Sequence, residues 1–451
     1  MKIYQNEALK RHMEEELCIN PLWKERDFVS YARKYFSGAL HKILAVGGLR
    51  GTGKTVGLLQ SIKDLDACYI TAQQGESEKS SDYIEAIKKT EKKCIIIDEY
   101  SWIKDREVLD KYLYTAVQNG KRIAITGTES ITLDFLNYGN LIHRIDMVHV
   151  NLFSYQEYCR MNGKESGKET CREYLTTGGV FNEYAITNYE NMRNYIKVAI
   201  IDNLVGYMNG RMSEERATAL VYAVLFKAIC PANLKSIPTL NKNKLTIENF
   251  LEEMGISTEI SFSANDLRTV TDIMEQIELI VRVKNYDKSN ENADQCYIVN
   301  PSLTCQLILA AYNIPALTNE ILGHVFEASV LCHLHQNLLE GHKLYFLNTE
   351  LEQGVSKELD AVIVTEKADY AYFIECKNRS ADSLAKDATI LDDRLDELFP
   401  DAVIDGRYVV FNGEASYRKL GDKEVIFAPM GKILDQYYLF DMHKGQLQNS
   451  K

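Results

Sequence analysis

The sequence predicts an α/β protein organised around a doubly wound parallel sheet, with helical regions and a second α/β domain further along the chain. Apolar segments alternate with amphipathic helices between residues 42 and 153, which is the pattern of such a sheet. A glycine-rich loop joins the first strand of this alternation to its first helix. The pattern restarts near residue 317, and a chain of 451 residues is too long for one core, so we expect roughly three domains.

The composition is that of a globular protein with an acidic balance. Hydrophobic residues make up 45% of the chain and charged residues 26%, and the net charge is −12. This balance excludes a global basic field that would attract nucleic acid, so any such binding requires a local patch. The cysteines show no metal-binding spacing, which indicates reduced thiols, and the first residues lack the apolar segment of a signal peptide. The apolar stretch at 217–230 carries Lys227 and is predicted to be a core helix rather than a membrane span. We therefore expect a cytoplasmic protein without membrane contact.

Residues 1–40 are predicted to be helical, because apolar side chains recur at helical spacing between residues 28 and 35. The segment at 42–46 is short and apolar, as in a buried strand. Residues 54–65 then carry Val56, Leu59 and Ile62 at helical spacing. The sequence therefore predicts a strand, a glycine loop and a helix in immediate succession.

The loop has a phosphate-binding pattern, G-x-x-x-x-G-K-[ST], in Gly48-Leu49-Arg50-Gly51-Thr52-Gly53-Lys54-Thr55. Amides at a helix start attract a phosphate, and glycines let the backbone approach it. Lys54 is predicted to reach the β- and γ-phosphates of ATP, and the Thr55 hydroxyl to bind Mg²⁺. Further contacts to ATP are assigned to the other loop residues, Gly48, Arg50, Gly51, Thr52 and Gly53. The loop alone does not exclude GTP, but no Asn-Lys-x-Asp motif for guanine follows the fourth predicted strand.

Further strands are predicted at 67–71, 93–97, 122–126 and 147–153, and further helices at 82–89, 106–117 and 131–136. The strand at 93–97 is apolar on both faces, which is typical of the centre of a parallel sheet covered by helices. It ends in Asp98 and Glu99, at the edge where open α/β sheets bind ligands. Asp98 is the candidate carboxylate for Mg²⁺, and Glu99 is the candidate general base for the attacking water. An ordinary solvated strand end is the alternative.

The fourth predicted strand ends in Thr126-Gly127-Thr128. A hydroxyl here, with Thr128 as the candidate, would contact the γ-phosphate or align the attacking water. The alternative is a turn followed by a helix cap.

These motifs resemble the AAA+ branch of P-loop ATPases. Nearly the whole chain resembles the prokaryotic ATPases that join an AAA-type domain to a C-terminal domain of uncharacterised function. Two further segments carry this resemblance, Val150-Asn151-Leu152-Phe153-Ser154-Tyr155-Gln156-Glu157-Tyr158 and Tyr174-Leu175-Thr176-Thr177-Gly178-Gly179-Val180-Phe181-Asn182-Glu183. The first answers to a strand with a Phe-Ser-x-x-Glu helix start, and the second to a lid pattern in which Phe181 and Asn182 stand where the family usually has a proline. The resemblance implies ATP hydrolysis by residues 1–153, a helical lid at 154–210, and an arginine, here Arg144, that faces a phosphate. A surface ion pair is the alternative for Arg144.

Residues 211–316 are predicted to form helices followed by two strands, at 279–283 and 295–299, around a polar loop. This order is typical of a winged helix, which would either bind DNA or act as a spacer. Arg268, Lys284 and Lys288 are too few for a basic recognition face, which favours the spacer.

Residues 317–451 have the order and spacing of a PD-(D/E)XK nuclease, a restriction-endonuclease-like fold. A helix carries Glu327, a strand at 358–364 carries Asp360, and the strand at 371–377 carries Glu375 and Lys377. Because residues two apart on a strand share a face, Glu375 and Lys377 are expected to lie together. Glu327, Asp360 and Glu375 are the candidate Mg²⁺ ligands, and Lys377 would stabilise or deprotonate the water that attacks a phosphodiester. A helix at 381–398 and a strand at 407–411 are predicted to follow.

Two functions remain open at this point. In the first, ATP hydrolysis controls a metal-dependent nuclease-like domain that acts on DNA or RNA. In the second, the chain is a nucleotide-dependent switch or scaffold whose nuclease-like fold binds a protein partner, or a second copy of the chain, without cleavage.

Overall fold

The computed structural model of this chain describes residues 1–16, 24–38, 41–73, 79–103, 105–127, 141–180, 186–208, 211–230, 234, 240, 245–287, 294–351, 355–377, 389–411, 413 and 416–430. Thr128 and the predicted helix at 131–136 lie outside these residues, as does most of the predicted helix at 381–398.

The first sheet has six strands: β1 Lys2–Gln5, β2 Ile43–Gly47, β3 Ala67–Thr71, β4 Cys94–Asp98, β5 Arg122–Thr126 and β6 Ile145–His149. Their order across the sheet is β1-β3-β4-β5-β2-β6. Strands β2 to β6 pair in parallel, and β1 pairs antiparallel with β3 at the edge. The prediction of an α/β fold with a parallel sheet is confirmed.

Helices cover both faces of this sheet. They are α1 Asn6–Arg11, α2 Asp27–Ser37, α3 Lys54–Ile62, α4 Ser80–Lys89 and α5 Glu107–Gln118. Alternate residues of β4 point to opposite faces, so Ile96 packs with α2 and α3 while Ile95 and Ile97 pack with α4 and α5. The strand is therefore apolar on both sides, as the sequence predicted.

The structure corrects two sequence predictions at the ends of this region. Residues 2–5 form strand β1 rather than a helix, because β3 offers a free edge to which their backbone pairs. The last strand begins at Ile145, earlier than predicted, because Ile145 pairs with Ile43 of β2. Beyond His149 the chain leaves the sheet, and the Phe153 amide instead donates to the Gly179 carbonyl at 2.8 Å.

A helical region follows, with α6 Tyr155–Asn162, α7 Lys168–Thr177, α8 Tyr189–Tyr195, α9 Asp202–Met208, α10 Glu214–Ile229, α11 Ile247–Glu253 and α12 Ala264–Gln276. Apolar side chains of α10 lie in a core shared with the elements that come later in the chain. Within the described ranges, none of the helices has the length and apolar character needed to cross a membrane.

The second sheet has eight strands: β7 Ile280–Asn285, β8 Gln295–Ile298, β9 His342–Leu351, β10 Val355–Thr365, β11 Tyr370–Lys377, β12 Val403–Phe411, β13 Ser416–Leu420 and β14 Lys423–Pro429. Its order is β13-β14-β12-β11-β10-β9-β7-β8, and it mixes parallel with antiparallel pairs. The helices of this part are α13 Pro301–Ala311, α14 Asn319–Gln336 and the short α15 Asp393–Asp396.

The hairpin β7–β8, predicted as the wing of a winged helix, is continuous with this second sheet. Lys284 and Asn285 of β7 pair in parallel with Tyr345 and Phe346 of β9. This pairing brings Tyr297 of β8 towards the residues predicted for the C-terminal site.

Candidate functional site

The glycine loop between β2 and α3 has the backbone shape that its glycines permit. Gly48, Gly51 and Gly53 all have positive φ, at 142°, 82° and 83°. A Cβ on Gly48 would lie 2.3 Å from the Val150 carbonyl oxygen, so no other residue fits there without a shift. Arg50 is half-buried on this loop, and the buried Thr52 hydroxyl donates to the Leu49 carbonyl at 2.8 Å.

Lys54 is buried at the start of α3, with 7% of its surface exposed. Its Nζ donates to the carbonyl oxygens of Gly48 at 2.9 Å and Leu49 at 2.8 Å, so the amine lies inside the curve of the loop. Burial lowers the pKa of Lys54 to about 8, against the opposing effect of the Glu99 and Asp98 carboxylates. An anion beside this amine would favour its charged form.

Asp98 ends β4 directly beside Thr55. Its Oδ2 accepts hydrogen bonds from the Thr55 hydroxyl at 2.9 Å and from the Tyr69 hydroxyl at 2.6 Å. Burial raises the pKa of Asp98, while these two hydrogen bonds act to lower it. A hydroxyl and a carboxylate held together in this way are suitable oxygen ligands for Mg²⁺.

Glu99 follows with a left-handed backbone, φ 53°, and is half-buried. The negative charge of Glu99 acts to raise the pKa of the buried Lys54 amine.

Thr126 and Arg144, which the sequence analysis also singled out, have surroundings unlike those of Lys54 and Asp98. The buried Thr126 hydroxyl at the end of β5 has no hydrogen-bond partner within the described part of the chain, and Thr128 lies outside that part. The Arg144 guanidinium lies 4.2 Å from the centre of the Tyr114 ring on α5.

A buried arginine that the sequence prediction missed also reaches the glycine loop. Arg26 precedes α2 and donates from Nη1 to the Thr52 carbonyl at 2.6 Å. The same side chain forms a buried ion pair with Glu157 of α6.

The predicted C-terminal residues meet where β10 and β11 separate. The two strands pair from Ala361 with Ile374 to Val364 with Ala371, and β10 has a bulge next to Asp360. The Asp360 carboxylate accepts the backbone N–H of Cys376 at 2.6 Å, so it lies between the diverging strands. The bulge and the fork together direct Asp360 towards the end of β11.

Lys377 points into this fork rather than away from it. Its Nζ lies 2.6 Å from Oε1 of Glu375. Burial acts to lower the pKa of Lys377, but the carboxylates of Glu375 and Asp360 outweigh burial and the pKa is raised. The ammonium group is therefore the positive centre of a mainly acidic cluster.

The cluster has too little positive charge to neutralise its carboxylates. Burial raises the pKa of Asp360 to about 7, with a further contribution from Glu375. Burial and the Asp360 charge likewise hold the pKa of Glu327 well above its usual range. Both side chains are half-buried, so the cluster retains an opening to solvent.

Oε2 of Glu375 is buried and accepts no hydrogen bond from any residue that the structure describes. An unsatisfied carboxylate oxygen beside raised pKa values fits a site for a cation. However, among the described residues no three His, Cys, Asp or Glu side chains are grouped closely enough to hold a metal ion as they stand. The Tyr297 hydroxyl lies 3.2 Å from Oε1 of Glu327 and 2.5 Å from Oε1 of Gln295, so its single proton is shared between these two acceptors.

The sequence prediction missed Arg26, Tyr69 and Tyr297. Each reaches its site from a different part of the chain, and none belongs to a local motif. Tyr69 could have been predicted, because it lies on β3, next to the strand that carries Asp98. Arg26 and Tyr297 had no comparable signal.

Comparisons with known proteins support the prediction made for the first part of the chain. Residues 40–159 match a family model described as AAA domain. The match includes the glycine loop, Asp98, Glu99 and the start of α6, and the prediction of an AAA-type domain is confirmed for these residues. No curated protein matches the chain.

Several solved structures are similar to part of the chain. The Hsp104–ADP complex of S. cerevisiae is 12% identical, with a TM-score of 0.29, over 73% of this chain and 44% of that chain. The RuvB Holliday junction branch migration motor of Thermotoga maritima is 13% identical, with a TM-score of 0.26, over 62% of this chain and 90% of that chain. The ORC1 protein of Aeropyrum pernix in complex with DNA is 12% identical, with a TM-score of 0.25, over 68% and 96%. The chain thus spans less than half of the Hsp104 chain.

Proposed function

We propose that the AAA-type domain binds ATP with Mg²⁺ and hydrolyses it. The observation that carries this proposal is the meeting of Lys54, Thr55 and Asp98 around a loop of three positive-φ glycines. Few arrangements other than a phosphate site explain a buried lysine aimed at the carbonyls of its own loop.

Each side chain has a defined part in this proposal. Lys54 exchanges its two loop carbonyls for the β- and γ-phosphates. Thr55 and Asp98 would hold Mg²⁺, which supplies positive charge against the phosphates. Glu99 accepts a proton from the attacking water. The loop residues and Thr128 complete the contacts to ATP.

Turnover and binding test this assignment separately. We expect Lys54→Ala to lose both ATP binding and hydrolysis, measured with a fluorescent ATP analogue and by phosphate release. Glu99→Gln should retain binding but lose turnover by roughly 10²-fold or more, the size expected for a general base. Undiminished hydrolysis in Lys54→Ala would refute the ATPase assignment.

For the C-terminal part, we propose a metal-dependent nuclease-like site at the fork of β10 and β11, under the control of the ATP cycle. At this fork the Lys377 ammonium group contacts Oε1 of Glu375. The other oxygen, Oε2, has no hydrogen-bond partner among the described residues and is available to a cation. Asp360 and Glu375 would hold Mg²⁺, with Glu327 beside them, and Lys377 would stabilise the water that attacks a phosphodiester of DNA or RNA.

A second function, a non-cleaving binding module, is favoured by one specific observation. The Glu327 carboxylate contacts the Tyr297 hydroxyl, and among the described residues Glu327, Asp360 and Glu375 do not form a three-ligand group. In this case the fork binds a protein partner or a second copy of the chain, and ATP acts as a switch.

Cleavage assays distinguish the two functions. Labelled single- and double-stranded DNA and RNA are incubated with Mg²⁺ or Mn²⁺, with and without ATP. A nuclease loses cleavage in Lys377→Ala and in Asp360→Ala. The control Lys423→Ala removes a lysine of β14 that pairs with Asp393 of α15 at 2.7 Å, and it should retain cleavage. No cleavage by the wild type, with ATP hydrolysis intact, favours the binding module.

The remaining organisation is proposed to follow the sequence: an ATPase domain at 1–153, a helical lid at 154–210, a winged-helix-like spacer at 211–316 and a nuclease-like domain at 317–451, in a cytoplasmic protein. The shared sheet of β7 and β9 supports a firm connection between the last two. Arg144 is proposed to stabilise the position of α5 through Tyr114.

A further inference from the structure

Arg26 joins two segments that are distant in sequence. Its side chain is buried, with 6% exposed, just before α2. Nη1 donates to the Thr52 carbonyl of the glycine loop at 2.6 Å and to the Asn151 carbonyl beyond β6 at 2.9 Å. One guanidinium group therefore fixes the loop against the chain that leaves the sheet.

Glu157 holds the other side of the same guanidinium group. Nε donates to Oε1 at 3.0 Å and Nη2 to Oε2 at 2.5 Å, the two-pronged geometry that only arginine provides. The Phe153 ring covers the group at 4.5 Å, and the Asp27 amide donates to Glu157 at 3.1 Å. Burial acts to raise the pKa of Glu157, but Arg26 outweighs it and the pKa is lowered, so the pair is charged.

This pair is poorly explained by stability alone. A buried ion pair brings little net stabilisation compared with apolar side chains of similar volume. What an apolar pair does not provide is a set of fixed donors aimed at two carbonyl oxygens. The positive charge also lies close enough to act on the Lys54 ammonium group. The arrangement therefore points to a role in the shape and charge of the glycine loop.

We propose that Arg26 is a positioning residue of the ATP site, which holds the Thr52 carbonyl and with it the loop in its phosphate-binding shape. Glu157 fixes the guanidinium group for this task. The inference rests on the proposed binding of ATP. Because Arg26 acts on the loop before ATP arrives, its loss weakens binding, while Lys54, Thr55 and Asp98 still act on the ATP that is bound.

The test uses a variant that removes the pair without leaving a buried charge. Arg26→Met alone would strand the Glu157 carboxylate, so the double variant Arg26→Met, Glu157→Leu is compared with the wild type. Thermal melting checks the fold, a fluorescent ATP analogue gives Kd, and single-turnover hydrolysis gives the rate for bound ATP. The matched control is Arg33→Met on the adjoining helix α2, whose 2.6 Å ion pair with Glu25 is partly exposed to solvent.

We expect the double variant to melt as a folded protein and to bind the analogue about tenfold or more weakly, with a single-turnover rate within about threefold of wild type. Arg33→Met should bind as the wild type does. A folded double variant with wild-type Kd would overturn the proposal, because the pair would then serve packing only.

If the double variant does not fold, Arg26→Lys decides. Its ammonium group retains the charge opposite Glu157 but does not reach Glu157 and both carbonyls at once. Weaker binding supports the proposal, and unchanged binding overturns it. A wild type that does not bind the analogue at all would refute the ATP site itself, which is a separate result.

Discussion

The Tyr69 hydroxyl donates to Oδ2 of Asp98 at 2.6 Å, from β3 to the neighbouring strand β4. The same oxygen accepts the Thr55 hydroxyl, so Tyr69 is part of the arrangement that orients this carboxylate. The Tyr69 ring is buried and stacks near His12, with centroids 5.3 Å apart. Through this contact, the N-terminal segment packs against the tyrosine that orients Asp98, the proposed Mg²⁺ ligand.

We predict that Tyr69→Phe reduces ATP hydrolysis about tenfold with little change in the Kd of ATP. The variant retains the ring and its packing but removes a hydrogen bond to a charged group, which is worth about 1.5–3 kcal/mol. Asp98 would then be less well ordered for Mg²⁺. Steady-state phosphate release across a range of Mg²⁺ concentrations measures the effect.

Tyr31→Phe is the matched control for this prediction. Tyr31 also donates its hydroxyl to an aspartate, Asp146, but 40% of its surface is exposed. Its loss should leave turnover unchanged. Equal effects of the two variants would show that Tyr69 has no special part in the site.

A second prediction concerns divalent cations at the fork of β10 and β11. Mn²⁺ should raise the melting temperature of the wild type, because a cation relieves the repulsion between Asp360 and Glu375. A ligand at about 100 times its Kd stabilises the folded state by roughly 2.7 kcal/mol. Glu375→Gln should lose most of this gain, and Glu366→Gln, an exposed residue at the turn before β11, should retain it. If Mn²⁺ raised the melting temperature of Glu375→Gln as much as that of the wild type, the proposed cation site at the fork would be wrong.

A third prediction is a loss of stability in mild acid due to His324. This residue of α14 is 4% exposed, and burial lowers its pKa from 6.5 to about 4. Between these values the unfolded chain binds a proton that the folded chain excludes, so stability is fully present above pH 6.5 and falls as the pH drops towards 4. His324 alone accounts for a loss on the order of 3 kcal/mol, and burial also lowers the pKa of His333 on the same helix to about 4, which adds a loss of the same sign.

Urea unfolding at several pH values measures this loss. His324→Phe retains an aromatic ring beside Tyr297, whose centroid lies 6.3 Å away, and should have a flatter pH profile. His41→Gln, at an exposed position, should have the wild-type profile. Identical slopes in His324→Phe and wild type would exclude His324 as the cause.

The local parts of the proposed ATP site were predictable from the sequence because their residues are neighbours in the chain. A strand, three glycines, Lys54 and Thr55 form one continuous segment, and Asp98 ends a strand that is apolar on both faces. Such patterns follow from helix starts and strand ends alone.

The remaining parts depend on pairings between distant segments. Arg26 meets Glu157, and Tyr297 meets Glu327, only after the sheets have formed. The strand β1 was missed for the same reason, since its backbone partners lie in β3. The pairing of β7 with β9 leaves no mark in the local sequence, because a hairpin has the same pattern whether or not one of its strands joins a larger sheet.

The last prediction follows from a series of contacts between the end of β2, which leads into the glycine loop, and α13. The Val150 amide donates to the Gly47 carbonyl at 2.8 Å, and the Phe153 amide to the Gly179 carbonyl at 2.8 Å. The Ser302 hydroxyl of α13 then contacts the Gly178 carbonyl at 3.1 Å and Oδ1 of Asn300 at 2.8 Å. Because α13 packs on α14, which carries Glu327, this series is a physical route between the two proposed sites.

We predict that an ATP analogue changes the Mn²⁺ affinity of the fork, and that Mn²⁺ changes the affinity for the analogue by the same factor, since coupling between two binding equilibria is reciprocal. Ser302→Ala should reduce this factor, with a change of about 0.5–2 kcal/mol in the coupling free energy. Titration calorimetry of each ligand with and without the other measures it. The control is Ser329→Ala on α14, a buried serine that donates to Val325 of its own helix at 2.8 Å and crosses no contact of the series. If Ser302→Ala and Ser329→Ala reduce the factor equally, the coupling does not pass through the contact between α13 and Gly178.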